Sequence, residues 1–181
     1  MNLEFLETSR LKLRILTPEV YDFVFNYYSD QEIMHFFGLD NVQLMQEEKR
    51  KYNLGIATFN RTFVNFQLIN KKTESIIGAC GFHTYYIEHG RAEIGYHLFS
   101  ERDKNKGLMT EALQKIIHYG FEVMKLNRIE AFVSPANEAS IKLLKKFNFV
   151  EEGLLRKHYF KNNIMEDSLV CSLLRSEYGL Q

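Results

Sequence analysis

Apolar residues change their spacing several times along this chain, and each change marks a structural element. Leu11, Leu13 and Ile15 alternate with Lys12 and Arg14, the period-two pattern of a strand with one buried face. Thr17-Pro18-Glu19 follows as a helix start, with Thr17 as cap and proline at the first helical position, and predicts a helix over Glu19–Tyr28. A second helical region is expected between Gln31 and Thr58, interrupted near Gly38. The period then returns to two. Val64, Phe66 and Leu68 alternate, Ile76–Tyr86 reads as a long strand, and Ala92, Ile94, Tyr96 and Leu98 alternate with Glu93, Gly95 and His97. Turns at Asn70-Lys71-Lys72 and Glu88-His89-Gly90 join these as three antiparallel strands. From Met109, the apolar positions Ala112, Leu113, Ile116, Ile117, Phe121 and Met124 carry the spacing of a helix with one buried face. Arg128–Val133 is then expected as a strand, Asn137–Lys146 as a short helix, and Asn148–Tyr159 and Met165–Leu174 as two further strands.

Helices inserted between strands that are not neighbours imply a mixed sheet covered on both faces. The expected fold class is therefore α/β, with about seven strands in one domain over residues 1–181, long enough for a sizeable core. An apolar content of 45%, with 15 Phe and 10 Tyr, excludes a disordered chain. Formal net charge is zero, so no long-range field favours nucleic acid or an anionic membrane; neither is expected as a partner, and any anion site must be local. Cys80 and Cys171 sit in separate apolar runs and read as small core residues in a reducing compartment. Cysteines and histidines show no ligand spacing, so no metal is expected. The start Met1-Asn2-Leu3-Glu4 carries no secretory signal and no apolar run reaches spanning length, which makes a cytoplasmic location the expectation.

Candidate chemistry gathers where a cationic, glycine-bearing loop, Lys104-Asn105-Lys106-Gly107, runs straight into the helix at Met109. A helix start leaves backbone N–H groups without acceptors and carries the positive end of the macrodipole. Gly107 has no side chain to shield those amides, so phosphate is the natural guest. The alternative for Arg102–Lys106 is a solvated turn. A nucleoside-triphosphate loop is excluded, because its spaced glycines and Gly-Lys-Ser/Thr ending are absent. Gly95, inside a strand just before the loop, suggests a bulge or a close approach by a ligand.

The ordered set Glu93-Ile94-Gly95-Tyr96, Gly107-Leu108-Met109-Thr110-Glu111-Ala112, Asn127-Arg128-Ile129-Glu130, Asn137-x-x-Ser140, Phe147-x-Phe149 and Glu152-Gly153-x-x-Arg156 resembles the GNAT acetyltransferase superfamily. Within it, Thr8-x-Arg10-Leu11 and Ser29-Asp30-x-Glu32 suit the branch that acetylates the N-termini of ribosomal proteins, the RimJ/RimL type. The resemblance spans nearly the whole chain and implies a mostly antiparallel GNAT sheet with helices on both faces.

Acetyl-CoA is the implied co-substrate, its pyrophosphate on the amides of Lys104, Asn105, Lys106, Gly107, Leu108, Met109 and Thr110. The superfamily signature Gln/Arg-x-x-Gly-x-Gly/Ala reads here Lys104-x-x-Gly107-x-Met109, which keeps a cation near phosphate as a point charge. In the family the preceding strand splays from its parallel neighbour, and pantetheine pairs with exposed amides there. The matching positions lie near Tyr96 to Phe99, with Leu98 and Phe99 assigned to the cofactor, and one such N–H would donate to the thioester carbonyl.

By the same resemblance Asn137 lies near pantetheine and Ser140 near the thiol, donating to the departing sulfur. The structural alternative is that Asn137 caps a helix and Ser140 fills its first turn. Two residues contend for general base: Glu93 acting through water, and His158, whose ordinary pKa suits proton acceptance. Against them, Glu93 pinned to Arg91 or Arg128, and His158 as an exposed strand residue, are the structural readings. His35, His83, His89, His97 and His118 read as surface or packing residues, and the helix dipole suffices to explain Glu111.

The acceptor is expected at the segment from about Phe36 to Thr58 and at Lys161-Asn162-Asn163, without being identified. The leading expectation is an acetyl-CoA-dependent N-acetyltransferase acting on a primary amine, such as a protein N-terminus. The alternatives are a polyamine, amino sugar or other small-amine acceptor, and a non-catalytic acyl-CoA-binding module. A homodimer is expected from the family and the apolar C-terminal strand.

Overall fold

Strand β2 (Leu11–Leu16) shows how one sheet sorts the apolar residues into two cores. Leu11, Leu13 and Ile15 point to one face, where they meet Phe66, Leu68 and Phe82. Leu16 points to the other, joining Val20, Val24, Ile33, Phe36 and Phe37. Period-two alternation makes this division unavoidable once both faces are covered.

The structure, a computed structural model, describes residues 1, 3–55, 57, 61–161 and 163–179. Around β2 stand β1 (Phe5–Glu7), β3 (Thr62–Asn70), β4 (Ile76–Tyr86), β5 (Arg91–Leu98), β6 (Arg128–Val133), β7 (Val150–Lys161) and β8 (Ile164–Leu174). They form one eight-stranded sheet in the order β1-β2-β3-β4-β5-β6-β8-β7. Every neighbouring pair is antiparallel except β5 and β6. The expected count of about seven strands missed β1, whose three residues are too few to establish an alternation.

Helices α1 (Pro18–Tyr27), α2 (Asp30–Phe37) and α3 (Val42–Asn53) cover one face, and α4 (Leu108–Glu122) and α5 (Glu138–Lys146) the other. Helix α2 begins in a full capping box, Ser29 and Glu32 exchanging side-chain and backbone hydrogen bonds, and ends at Gly38 where the interruption was expected. Helix α4 presents Ala112, Leu113, Ile116, Ile117 and Phe121 to the sheet, all essentially inaccessible to solvent. Arg14 crosses to the α1–α3 side, where its guanidinium lies 4.6 Å from the Phe36 ring and donates to the Phe36 carbonyl at 3.1 Å. Among the described residues no helix is long and apolar enough to cross a membrane.

One irregularity of the sheet positions everything that follows. Parallel strands β5 and β6 pair only at Arg91↔Arg128, Ala92↔Ile129 and Glu93↔Glu130. Beyond Glu93, β4 holds β5 as far as Leu98, while β8 holds β6 as far as Val133. The two strands are thus drawn apart by their outer partners, and a wedge opens between them.

Candidate active site

The wedge exposes main-chain donors along β5. Phe99 donates its N–H to the Ile77 carbonyl at 3.0 Å, on the β4 side. Amides alternate in direction along a strand, so those of Leu98 and Tyr96 face the wedge, while that of Ile94 is spent on the last parallel pairing, Glu93↔Glu130. The expected contribution of Leu98 therefore has an available donor, whereas the Phe99 amide is already used.

At the open end the chain turns through a single 3-10 turn, Glu101–Asp103, capped by the Ser100 hydroxyl. Lys104, Asn105, Lys106 and Gly107 are exposed, and α4 starts at Leu108, one residue before the expected start. Lys104 is ion-paired with Glu101, so the signature-position cation is partly neutralised. Gly107 is the N-cap with φ 73° and offers no side chain to the first turn. A Cβ there would meet only Arg10 Nη2, at 3.6 Å, within 4 Å. That open cradle fits an anionic diphosphate. Met109, at the position of a family glycine or alanine, is partly buried against the core. Glu111 does more than favour the dipole: it accepts from Thr8 Oγ1 at 2.5 Å, from the Arg10 amide at 2.7 Å and from Arg10 Nε at 2.6 Å.

On the α4–α5 face, Tyr96 of β5 and Ser140 of α5 share a hydrogen bond of 2.8 Å. Ser140 is placed by the helix cap, because its N–H donates to Asn137 Oδ1 at 3.1 Å. Capping and proximity to the wedge thus coexist for Asn137 and Ser140. Burial pushes the Tyr96 phenol up to about 12, so it stays a neutral O–H at physiological pH.

On the opposite face lies Glu93, at the vertex of the wedge. Burial, with the Glu130 charge across the strand pair, pushes its carboxyl up to about 7, against a hydrogen bond from Thr84 that lowers it. The reading in which Arg91 or Arg128 pins Glu93 does not hold. Arg91 Nη1 reaches Glu130 Oε2 at 3.0 Å and Arg128 Nε reaches Glu130 Oε1 at 2.8 Å, so both cations serve the neighbouring carboxylate. Glu93 meets His83 instead, with Nδ1 to Oε2 at 3.5 Å, and burial holds that imidazole below its usual pKa and neutral. Gly95 is explained by the same ring: a Cβ at residue 95 would stand 2.8 Å from His83 Nε2, so glycine makes room for the imidazole. The register shift lies in β4 between His83 and Tyr86, not at Gly95, and within it Thr84 takes φ 50°, costly for a β-branched residue.

His158 stands apart from this cluster. It bonds Ser168 Oγ through Nδ1 at 3.1 Å and packs on Phe132 with ring centroids 5.0 Å apart, on the β6 stretch that lines the wedge. Among the described residues no hydrogen bond or ion pair joins it to Glu93. A cavity of about 330 Å³ opens beside His83 and Thr84, lined also by Tyr21 of α1 and by Glu48, Lys51 and Tyr52 of α3. Glu48, Lys51 and Tyr52 belong to the segment named for the acceptor; Thr58 and Asn162 lie outside the described residues. A larger cavity, about 890 Å³, sits between α2 and the β3–β4 turn and includes none of the wedge residues. Among the described residues no cluster of three or more His, Cys, Asp or Glu could hold a metal.

His83, Thr84, Glu130 and Tyr96 were not singled out as acid, base or base-tuning groups from sequence. Only Tyr96 had a usable signal, its place beside Glu93 in the quoted strand motif. The others act through cross-strand register and a bulge, neither of which is local in sequence.

Comparison with known proteins gives an independent view. Residues 10–150 match the family described as acetyltransferase (GNAT) domain. The chain is 38% identical over 178 residues to the uncharacterized N-acetyltransferase p20 of Bacillus licheniformis, covering 98% of this chain and 99% of that one. Its fold is similar to the spermidine/spermine N-acetyltransferase of Vibrio cholerae, with TM-score 0.70, 21% identity and coverage of 94% and 95%. It is also similar to the ribosomal-protein-S5-alanine acetyltransferase of Vibrio fischeri, with TM-score 0.67, 21% identity and coverage of 97% and 98%. At those identities the two structures establish the fold alone.

Proposed function

The chain belongs to the GNAT acetyltransferase family and is an acetyltransferase, and from that premise we propose that it passes an acetyl group from acetyl-CoA to a primary amine through the wedge between β5 and β6. The observation that carries this reading is the placement of Glu93 on one face of the wedge and the Tyr96–Ser140 pair on the other.

Thioester aminolysis needs a neutral amine, donors for the tetrahedral oxygen and a proton for the departing thiolate. The amides from Asn105 to Thr110 receive the diphosphate at the start of α4, that of Lys104 being spent on the Glu101 carbonyl at 3.1 Å. Leu98 or Tyr96 N–H then donates to the thioester carbonyl. The amine arrives from the α1–α3 side, where Glu93, pushed up to about 7, accepts its proton directly or through water. Sulfur leaves toward the α4–α5 side, where the Tyr96 and Ser140 hydroxyls supply a proton or hydrogen bond. Asn137 fixes the helix turn that carries Ser140. Base and acid thus flank the reacting carbon from opposite sides of the sheet, as nucleophile and leaving group require. His158, on the wall of the wedge, meets the acceptor rather than serving as base.

A protein N-terminal α-amine suits this base best. Its ammonium has a pKa of roughly 8, close to that of Glu93, whereas alkyl ammonium groups near 10 are harder to deprotonate. A thiol-release assay with acetyl-CoA and a panel of peptides, polyamines and amino sugars tests the assignment. Peptides with free N-termini are expected to give the highest kcat/KM. Faster thiol release with spermidine than with every peptide would move the acceptor to small amines.

The molecule also has an edge that suits a second copy. All of β7 is exposed, including Leu154, Leu155, Tyr159 and Phe160, beside Ile164 and Met165 of β8. Glu151 and Glu152 precede Leu154, and Arg156 and Lys157 follow it. A two-fold axis at Leu154 would set acid against base between antiparallel copies. Glu151→Lys and Lys157→Glu are each expected to shift the protein toward monomer in light scattering, and an equimolar mixture of the two to recover dimer. A wild-type protein monomeric at high micromolar concentration would exclude this pairing.

A further inference from the structure

The Thr8-x-Arg10-Leu11 motif lies more than ninety residues before the phosphate loop, yet the fold brings it underneath that loop. The turn between β1 and β2 is closed by Thr8, whose N–H donates to the Leu11 carbonyl at 3.0 Å while its hydroxyl accepts from the Leu11 N–H at 2.9 Å. From this turn Arg10 extends to α4. Its Nε donates to Glu111 Oε2 at 2.6 Å, its Nη1 donates to the Lys106 carbonyl at 3.0 Å, and its Nη2 is the atom that faces the bare side of Gly107.

We propose that Arg10 is a positioning residue for the cofactor diphosphate, holding the Lys106–Gly107 peptide so that the amides of the loop and of the first α4 turn converge on the anion. Two physical effects combine. A peptide whose carbonyl is held by Arg10 has its N–H on the other side, so the bond orients the donors before ligand arrives. Without a cation, Glu111 would stand as an unscreened carboxylate one turn from the phosphates; Arg10 neutralises it in place. Lys104 does not substitute, because its ammonium is ion-paired with Glu101. Thr8 completes the clamp by donating to the second Glu111 oxygen and fixing the turn from which Arg10 extends.

This assignment rests on the reading of the loop as the diphosphate site, and its test separates the two. The probes are acetyl-CoA and acetyl-pantetheine, which carry the same thioester and differ in the diphosphate-bearing portion. Wild type is expected to prefer acetyl-CoA strongly in kcat/KM. Arg10→Ala should remove about tenfold to a hundredfold of that preference, the worth of a charge-assisted hydrogen-bond pair, through KM for acetyl-CoA, with acetyl-pantetheine unaffected. Arg10→Lys, which keeps charge and loses the fork, should fall between the two and serves if the alanine variant does not fold. Equal losses with both thioesters, in either variant, would mean a structural role only and overturn the assignment. A wild-type enzyme that does not distinguish the two thioesters would remove the diphosphate site itself, and Arg10's role with it.

Discussion

Gly107→Glu is expected to abolish acetyl-CoA binding in titration calorimetry while the protein still unfolds cooperatively within a few degrees of wild type. The residue is exposed, caps α4 at φ 73° and has open space where its side chain would grow. An L residue at that φ costs about 1 kcal/mol, small against a domain's stability. The ligand fares far worse. A carboxylate at about 4 Å from a phosphate charge in partly screened surroundings repels it by roughly 4 kcal/mol, about a thousandfold in affinity. Gly107→Ala separates the contributions, since it brings the same backbone strain without charge and should lose affinity only modestly. Retained affinity in the glutamate variant would place the diphosphate elsewhere.

Glu93→Gln is expected to lower kcat by about a hundredfold to ten-thousandfold, the usual worth of a general base, with little change in KM for acetyl-CoA. A base must be deprotonated to act, so wild-type kcat/KM should rise with pH through about 7 and level off above it. The glutamine variant should lose that limb. His158→Ala should keep it, because His158 is tied to Ser168 and Phe132 and not to the vertex of the wedge. If His158→Ala flattens the profile and Glu93→Gln does not, the base is the histidine.

The same carboxyl predicts an effect on stability. Its folded pKa, about 7, exceeds the unfolded carboxylate value, so the folded state holds the proton more tightly. Stability from this group is complete below the unfolded pKa and is lost as pH rises through the folded one. Glutamine imitates the protonated form at every pH. Glu93→Gln should therefore match wild type in Tm near pH 4 and exceed it at pH 8 and above, a stabilised and inactive enzyme.

Much of the architecture is legible in the order of the residues. Alternation over Leu11–Ile15, Val64–Leu68 and Ala92–Leu98, and helical spacing from Met109, record which side of each element is buried, and burial is what holds the elements together. The glycine turn into α4, on which the proposed diphosphate site rests, was equally legible, because a helix start and the glycine before it are contiguous in the chain. Local interactions leave local traces.

The proposed catalytic arrangement left fewer. Nothing in the neighbourhood of Glu93 announces that Arg91, two residues away, turns to Glu130, or that burial lifts the carboxyl to about 7. Nor does the spacing of His83 reveal that it fills the room vacated at Gly95. Those outcomes depend on cross-strand register, on a bulge at Thr84 and on the early parting of β5 and β6. Thr8, Arg10 and Glu111 likewise meet only because β2 lies against α4. Residue order determined the elements and the glycine turn at the start of α4; which charges neutralise one another was decided by the packing of distant segments, since electrostatic interaction follows distance in space rather than along the chain.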